Sequence, residues 1–255
     1  MYNEVVNKRL IQNAGGRRMN IALLTAAGTG SRTHQDIPKQ FIHVNNKPII
    51  IYTLEAFQQH PNVDQICVVI LKGWEEILWA YAKQFNITKL KYVVNGGETG
   101  QESIKNGLLA IRKEASDDDV IIVHDGNRPM VGQDLITDSL VKYKQFGSAV
   151  AVIPCTEVVF VSKEGYQSNK SIPREKLWRT QTPHTYRIGD LLQAHAEAEK
   201  RGITNMAASC ALMEALGHTT YFSKGSEKNL KITTVEDIEI FTALLAAKNE
   251  DWIKD

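Results

Sequence analysis

A loop of small residues followed by two cations is the first part of this chain that could carry chemistry. Residues 26–41 read AAGTGSRTHQDIPKQF. Gly28 and Gly30 let the backbone approach a polyanion and turn amide groups toward it. Arg32 and Lys39 add fixed positive charge. The loop predicts a triphosphate site, and an ordinary glycine-rich turn with two solvated cations is the alternative.

Two common phosphate-binding motifs do not match this loop. A Walker loop ends in Gly-Lys-Ser/Thr, whereas Ser31 and Arg32 follow Gly30 here. A dinucleotide fingerprint has a third small residue that opens a helix, whereas residues 33–38 continue as an irregular loop. The chain therefore needs another explanation for its glycines and cations.

Two further segments offer polar groups after apolar runs. NGGETGQES at residues 95–103 could hold a base or ribose through backbone groups, or could be a plain turn with a helix cap. In HDGNRP at residues 124–129, Asp125 could hold Mg²⁺ or a polyol hydroxyl, and Arg128 could hold a phosphate. A structural Asp-Arg pair is the alternative. His124 points away from Asp125 on a strand, which favours a core position.

The order of apolar runs and helical patterns predicts the fold that positions these residues. Short buried runs alternate with amphipathic segments, which indicates a Rossmann-like α/β fold with a mostly parallel sheet and helices on both faces. The predicted strands are residues 21–25, 65–71, 91–95, 120–124 and 148–154, with another near Tyr221. The predicted helices are residues 49–60, 74–85, 189–200 and 206–216, and one from about Val235.

A change of pattern at residues 155–174 predicts a projecting β-hairpin arm with a polar tip near Gly165. Such an arm could reach a second subunit. Residues 1–18 precede the first predicted strand and form an extension of unknown role, and residues 19–255 form a single domain.

Composition limits the class of protein. The chain has 255 residues, 43% of them hydrophobic, and a net charge of +1 without a long basic run. This excludes disorder and argues against an extended nucleic-acid groove. No run approaches the roughly 20 apolar residues of a membrane helix. Three widely spaced cysteines fit a reducing compartment, so we expect a cytoplasmic protein without nucleic-acid or membrane partners.

Two later segments complete a specific pattern. REKLWRTQTP at residues 174–183 and KNLKITT at residues 228–234 put cations and hydroxyls beside predicted sheet edges. The ordered segments AAGTGSR, PKQF, GGETGQES, HDGNRP, TQTPHTY and NLKITTVEDI resemble the cytidylyltransferases that act on alditol phosphates. That family includes 2-C-methyl-D-erythritol 4-phosphate cytidylyltransferases and ribitol-5-phosphate cytidylyltransferases. The resemblance covers residues 20–245.

The resemblance implies a reaction and a role for each matching residue. An alditol phosphate oxygen attacks the α-phosphorus of CTP and pyrophosphate leaves, with Mg²⁺ as cofactor. Arg32 and Lys39 are the implied catalytic cations. The implied nucleotide-binding residues are Ala26, Ala27, Gly28, Gly30, Gly97, Glu98 and Ser103. The implied acceptor-binding residues are Asp125, Arg128, Arg174, Thr182 and Lys231, with Asp125 also a candidate metal ligand.

The resemblance also implies a homodimer with exchanged arms, in which Arg174 reaches the acceptor phosphate in the neighbouring subunit. Three departures from the family pattern leave the acceptor open between ribitol 5-phosphate and 2-C-methyl-D-erythritol 4-phosphate. They are Gly100 in place of an arginine, residues 156–158 in place of Asp-Thr, and residues 204–209. A sugar-1-phosphate nucleotidyltransferase and a non-catalytic nucleotide-binding protein are the alternative functions.

Overall fold

A computed structural model of the chain describes residues 18–28 and 37–249. Gly30, Arg32 and the predicted extension up to residue 17 lie outside the described residues. The predictions that concern them are therefore not addressed by the structure.

Seven of the described strands, numbered along the chain, form a central sheet in the order β11-β7-β10-β6-β1-β4-β5. All neighbouring pairs are parallel except those of β10, which runs antiparallel to both β6 and β7. The sheet strands are β1 (Asn20–Ala26), β4 (Gln65–Ile70), β5 (Leu90–Asn95), β6 (Val120–Asp125), β7 (Ala149–Pro154), β10 (Trp178–Arg187) and β11 (Phe222–Lys224). The prediction of a mostly parallel α/β sheet is confirmed.

Helices cover both faces of this sheet, as predicted. Helices α1 (Ile49–Gln59), α2 (Glu75–Gln84) and α4 (Gln133–Phe146) pack on one face. Helices α3 (Gly100–Ile111), α5 (Ile188–Lys200) and α6 (Ser209–Ala215) pack on the other. Helix α7 (Val235–Asn249) packs through Phe241 against Tyr52 of α1. None of the helices within the described ranges has the length and apolar character that crossing a bilayer requires.

The central strands are apolar because both of their faces are covered. Residues 21–24 of β1 are fully buried, and β1 pairs in parallel with β4 and β6. Parallel strands buried on both faces read as continuous apolar runs, which is why β1, β4 and β6 were predictable. The register sets Thr25 beside Asp125, so the loops after β1 and β6 leave the same edge of the sheet side by side.

Strand β10 corrects one prediction. The TQTP segment was expected beside a sheet edge, but it lies in the interior of the sheet between β6 and β7. Its sequence, WRTQTPHTYR, is polar and contains Pro183, features that are typical of an edge or a loop. The interior position is possible because the pairing of β10 with β7 shifts register between Thr180 and His184, where Pro183 needs no ladder hydrogen bond.

The predicted arm is present. Strand β8 (Val159–Phe160) pairs antiparallel with β9 (Ser171–Ile172), and residues 161–170 connect them. Several apolar side chains of the arm are exposed, including Phe160 at 62% and Tyr166 at 77%. A short antiparallel pair, β2 (His43–Val44) and β3 (Lys47–Pro48), precedes α1.

Candidate active site

A cavity of about 450 Å³ lies at the carboxyl ends of β1 and β6. This is the edge of an open α/β sheet where ligands bind. The cavity brings together eleven of the residues predicted from the sequence. They are Ala26, Ala27, Gly28, Lys39, Gly97, Glu98, Ser103, Asp125, Arg128, Thr182 and Lys231.

Gln40 connects Lys39 to the glycine loop. Lys39 begins a single 3-10 turn, and the side chain of Gln40 is buried beside it. The side-chain nitrogen Nε2 of Gln40 donates to the carbonyl oxygens of Ala26 at 2.6 Å and Gly28 at 3.3 Å. Phe41 anchors the other side of the turn by stacking on Trp74, with ring centroids 4.5 Å apart. The turn that begins with Lys39 is thus anchored at the cavity through Gln40 and Phe41.

The second glycine-rich turn is a helix cap that also lines the cavity. The hydroxyl of Thr99 accepts from the Glu102 amide, and the Glu102 carboxylate accepts from the Glu98 amide at 2.7 Å. The Gly97 amide donates to the Ser103 hydroxyl at 3.1 Å. The Thr99 contact satisfies one amide group at the start of α3, and the other two contacts hold the turn before it. The predicted turn with a helix cap is therefore confirmed, whereas binding of a base or ribose by this segment stays a prediction.

Gly96 explains how the two loops come so close. A Cβ atom at Gly96 would lie 2.3 Å from the Cβ of Ala27. No side chain fits in that space, so the turn after β5 packs directly on the loop after β1. The close approach makes the two loops adjacent walls of one cavity.

Asp125 lies between two cations. Its Oδ2 accepts from Arg128 Nε and its Oδ1 accepts from Lys231 Nζ, each at 2.9 Å. Burial opposes ionisation of the carboxyl group, but Lys231 and Arg128 outweigh burial and hold the pKa of Asp125 well below its ordinary value. Asp125 is therefore a carboxylate at neutral pH.

The loop after β6 is bound to the segment before α7. Arg128 Nη1 donates to the Asn229 carbonyl at 2.6 Å, and the Ile232 amide donates to the Asn127 carbonyl at 2.9 Å. Asn229 Nδ2 donates in turn to the Thr182 carbonyl at 2.8 Å. The guanidinium of Arg128 thus contacts Asp125 and Asn229, as the structural alternative described. A contact between Arg128 and a phosphate stays a prediction.

His124 is a core residue, as predicted. Its ring is fully buried and packs on Phe57, with ring centroids 5.1 Å apart. Nδ1 lies 2.9 Å from Thr182 Oγ1, and Nε2 lies 3.4 Å from the Arg128 carbonyl oxygen. Burial lowers the pKa of His124 to about 3, so the ring is neutral. The Thr182 oxygen also accepts from the Asp125 amide at 3.0 Å.

Several cavity residues were missed by the sequence analysis. Gln40 was passed over although it stands between Lys39 and the buried Phe41, a pattern that suggests a polar side chain turned inward. His184 and Ser209 also line the cavity, and His184 Nδ1 lies 2.8 Å from Ser209 Oγ. No local pattern marks this pair, because β10 and α6 meet only in the folded chain.

With this geometry established, comparisons with known proteins identify the family. Residues 20–247 match the model of the IspD family, described as 2-C-methyl-D-erythritol 4-phosphate cytidylyltransferase. The chain belongs to the IspD family. The resemblance inferred from its sequence segments is thereby confirmed.

Relatives in the IspD family carry two names. The chain is 41% identical over 232 residues to the ribitol-5-phosphate cytidylyltransferase of Lacticaseibacillus paracasei, covering 90% of this chain and 99% of that protein. It is 35% identical over 232 residues to the 2-C-methyl-D-erythritol 4-phosphate cytidylyltransferase of Clostridium acetobutylicum, covering 89% of this chain and 97% of that protein.

The solved structure of the Francisella tularensis 2-C-methyl-D-erythritol 4-phosphate cytidylyltransferase (IspD) has the same fold. It aligns with a TM-score of 0.74 and 31% identity, covering 88% of this chain and 99% of that one. The fold and the enzyme class predicted from the sequence are those of the IspD family.

Within the described part of this IspD-family chain, Arg174 is the one predicted site residue that does not line the cavity. It begins a 3-10 turn at the base of the arm, and its side chain is 56% exposed. Its Nη1 donates to the Thr156 carbonyl at 3.0 Å, and it does not line the cavity that holds Asp125. A role for Arg174 in a neighbouring subunit stays a prediction.

Asp125 belongs to no protein-built metal cluster among the residues that the structure describes. Within residues 18–28 and 37–249, no group of three or more His, Cys, Asp or Glu side chains could hold a metal ion. Both Asp125 oxygens already accept from cations. These residues do not fit a metal ion held by the protein alone, because Mg²⁺ takes about six oxygen ligands.

Proposed function

We propose that this chain transfers CMP from CTP to an alditol phosphate. An oxygen of the alditol phosphate forms a bond to the α-phosphorus of CTP, the bond from the α-phosphorus to the bridging oxygen breaks, and pyrophosphate leaves. One observation carries the proposal in a chain of the IspD family: the glycine loop, Lys39 and the Asp125–Lys231 pair face a single cavity.

The first wall of the cavity is the proposed nucleotide side. Ala26, Ala27 and Gly28 follow β1, and Lys39 is fixed beside them by Gln40. Positive charge held at that position favours the transition state, in which the phosphoryl oxygens gain negative charge. Arg32 would add a second cation from the same loop, as its sequence position suggests.

The second wall is the proposed acceptor side. The Asp125 carboxylate can accept hydrogen bonds from polyol hydroxyls, and Lys231 adds a positive charge for the acceptor phosphate. Thr182 contributes a hydroxyl beside Asp125. Because this wall holds both a cation and hydrogen-bond acceptors, it suits a molecule that carries both hydroxyls and a phosphate.

Ribitol 5-phosphate is the acceptor we propose first. The 41% identical relative from Lacticaseibacillus paracasei is named for it. 2-C-methyl-D-erythritol 4-phosphate is the second candidate, since the 35% identical relative from Clostridium acetobutylicum is named for that compound.

We expect a divalent cation to accompany the nucleotide. Mg²⁺ usually binds substrate phosphates and keeps several waters, so it needs few protein ligands. This arrangement agrees with a cavity in which Asp125 is already engaged with Arg128 and Lys231.

We propose in addition that two copies of the chain exchange arms. The exposed apolar side chains of the arm, among them Phe160 and Tyr166, would be covered by a second copy. Arg174 at the base of the arm would then approach the partner's acceptor phosphate.

The test is pyrophosphate release with CTP, Mg²⁺ and each acceptor in turn, with ATP, GTP and UTP as nucleotide controls. We expect release with CTP and an alditol phosphate only. Release only with a sugar 1-phosphate would select the alternative enzyme class. CTP binding by calorimetry without release from any acceptor would select a non-catalytic nucleotide-binding protein.

A further inference from the structure

The hydroxyl of Thr182 has two partners inside the protein, and Thr182 also lines the cavity. Its oxygen accepts from the Asp125 amide at 3.0 Å and lies 2.9 Å from His124 Nδ1. The residue is 9% exposed and lines the cavity beside Asp125 and Lys231. A threonine hydroxyl has one proton and two lone pairs, so the direction of the His124 contact decides what Thr182 can offer to a ligand.

The surroundings of His124 fix that direction. Nε2 of His124 faces the carbonyl oxygen of Arg128 at 3.4 Å, and a carbonyl oxygen can only accept. Nε2 therefore carries a proton. The ring is fully buried against Phe57 and, among the residues that the structure describes, neither nitrogen contacts a carboxylate, so a second proton would create an unpaired buried cation. Nδ1 is consequently an acceptor, and the Thr182 proton points to it.

From these contacts we propose that His124 is a positioning residue that makes Thr182 a hydrogen-bond acceptor for a hydroxyl group of the acceptor substrate. The Thr182 proton is used by His124 and one lone pair by the Asp125 amide, which leaves one lone pair for the cavity. This inference rests on the proposed alditol phosphate transfer.

The arrangement has a consequence for specificity. A lone pair accepts from a polyol O–H but finds no partner in an ether oxygen, a ketone or a phosphate oxygen. Thr182 therefore distinguishes an alditol from its deoxygenated analogue, and it does not contact the phosphate group. The backbone amide of Asp125 occupies the other lone pair of the Thr182 hydroxyl. The carboxylate of Asp125 is a second hydrogen-bond acceptor next to Thr182. The two together recognise neighbouring hydroxyls.

A matched pair of variants tests the proposal. In His124→Asn the side-chain oxygen takes the place of Nδ1 and can accept from Thr182, whereas in His124→Gln the amide lies near Nε2 and leaves the Thr182 proton unpaired. The assay uses whichever of ribitol 5-phosphate and 2-C-methyl-D-erythritol 4-phosphate is turned over. His124→Gln should raise the KM for this acceptor about tenfold, which corresponds to the loss of one hydrogen bond. His124→Asn should raise it less, and the KM for CTP should change less than twofold in both.

Two further measurements separate this role from a general effect on folding. The wild type should prefer the alditol phosphate over one of its monodeoxy analogues, and Thr182→Val should abolish that preference. When Thr182→Val is combined with each His124 substitution, the two double variants should have the same KM for the acceptor. The nitrogen chemical shifts of ¹⁵N-labelled histidine should report the Nε2-protonated form of His124.

Three results would overturn the proposal. They are an Nδ1-protonated His124, an unchanged preference in Thr182→Val, and equal losses in both His124 variants that follow their thermal unfolding midpoints. The histidine spectrum does not need turnover, so an Nδ1-protonated His124 would overturn the inference even if the proposed function holds. Absence of release by the wild type would count against the proposed function, and with it against the substrate role of Thr182, but not against the hydrogen bond between His124 and Thr182.

Discussion

Lys231 Nζ lies 2.9 Å from Asp125 Oδ1, although 106 residues separate the two in sequence. The contact joins the end of β6 to the segment before α7, at the wall of the cavity that we propose for the acceptor. Because Arg128 holds the other carboxylate oxygen, Asp125 and Lys231 keep a defined position before any substrate binds.

Removal of Lys231 should impair acceptor binding. In Lys231→Ala, Asp125 keeps Arg128 but the cavity loses a cation, so we expect kcat/KM for the alditol phosphate to fall about 10- to 100-fold. Lys224→Ala is the matched control, since Lys224 pairs with Asp134 on the surface at 2.6 Å. Steady-state pyrophosphate release measures both, and equal effects of the two substitutions would contradict a specific role for Lys231.

Asp125 should make stability depend on pH in the acid range. Its pKa in the folded chain is depressed by Lys231 and Arg128 against the opposing effect of burial. The stabilisation is therefore fully present above the unfolded pKa of about 3.9 and is lost as the pH falls from there toward the folded pKa. At pH 7, Asp125→Asn should lower the free energy of unfolding by about 2 kcal/mol.

Denaturant unfolding from pH 3 to 7 measures this dependence. The difference between wild type and Asp125→Asn should shrink below pH 4, because the wild-type carboxyl group then begins to be protonated in the unfolded state. A difference that is constant across this range would show that the ion pairs do not set the acid dependence.

Gln40 should matter for CTP affinity. Gln40→Ala removes two hydrogen bonds to the carbonyls of Ala26 and Gly28, so the backbone of these two cavity residues is held less firmly, and the Kd for CTP should rise about tenfold. Gln133→Ala is a fair comparison, because Gln133 also donates to a backbone carbonyl, that of Ala56, away from the cavity. Isothermal titration with CTP decides, and an unchanged Kd in Gln40→Ala would remove Gln40 from the nucleotide site.

Lys39 should act on the transition state more than on CTP binding. We expect Lys39→Ala to lower kcat about 10²- to 10³-fold while the Kd for CTP changes only a few-fold. The reason is that the positive charge of Lys39 stabilises negative charge that develops on the phosphoryl oxygens during transfer. Lys113→Ala, an exposed lysine after α3, serves as the control. Comparable losses in turnover and affinity would indicate that Lys39 only anchors the ground-state triphosphate.

Arg174 allows a direct test of arm exchange. Arg174→Ala and Lys39→Ala should each be nearly inactive alone, but a mixed dimer has one site with an intact Lys39 and an intact Arg174 from the other subunit. Mixing and refolding the two variants should restore up to about a quarter of wild-type turnover, because roughly half of the chains form mixed dimers with one active site each. No recovery in an isolated mixed dimer would assign Arg174 to its own subunit.

Local patterns were sufficient for most elements of the fold. The strands β1, β4, β5, β6 and β7 agree with prediction within about one residue. For β1, β4, β6 and β7 the reason is that strands buried on both faces leave a short apolar run, whereas β5 lies at the edge of the sheet and is only partly buried. Helices α1, α2 and α5 were predictable from apolar residues three and four apart. Strand β10 was not predictable, because its sequence is polar and has no strand pattern of its own. It is a strand because it pairs with β6 and β7 on either side.

The sequence by itself determined the family, the order of the motifs and the residue types that suit a triphosphate and a polyol phosphate. Only the tertiary structure decided which of these residues meet. Asp125 contacts Lys231, Thr182 contacts His124 and Gln40 contacts the glycine loop through atoms that are 12 to 106 residues apart. Spacing along the chain constrains groups one or two turns away, whereas the register of parallel strands and the packing of loops at their ends set contacts over longer separations.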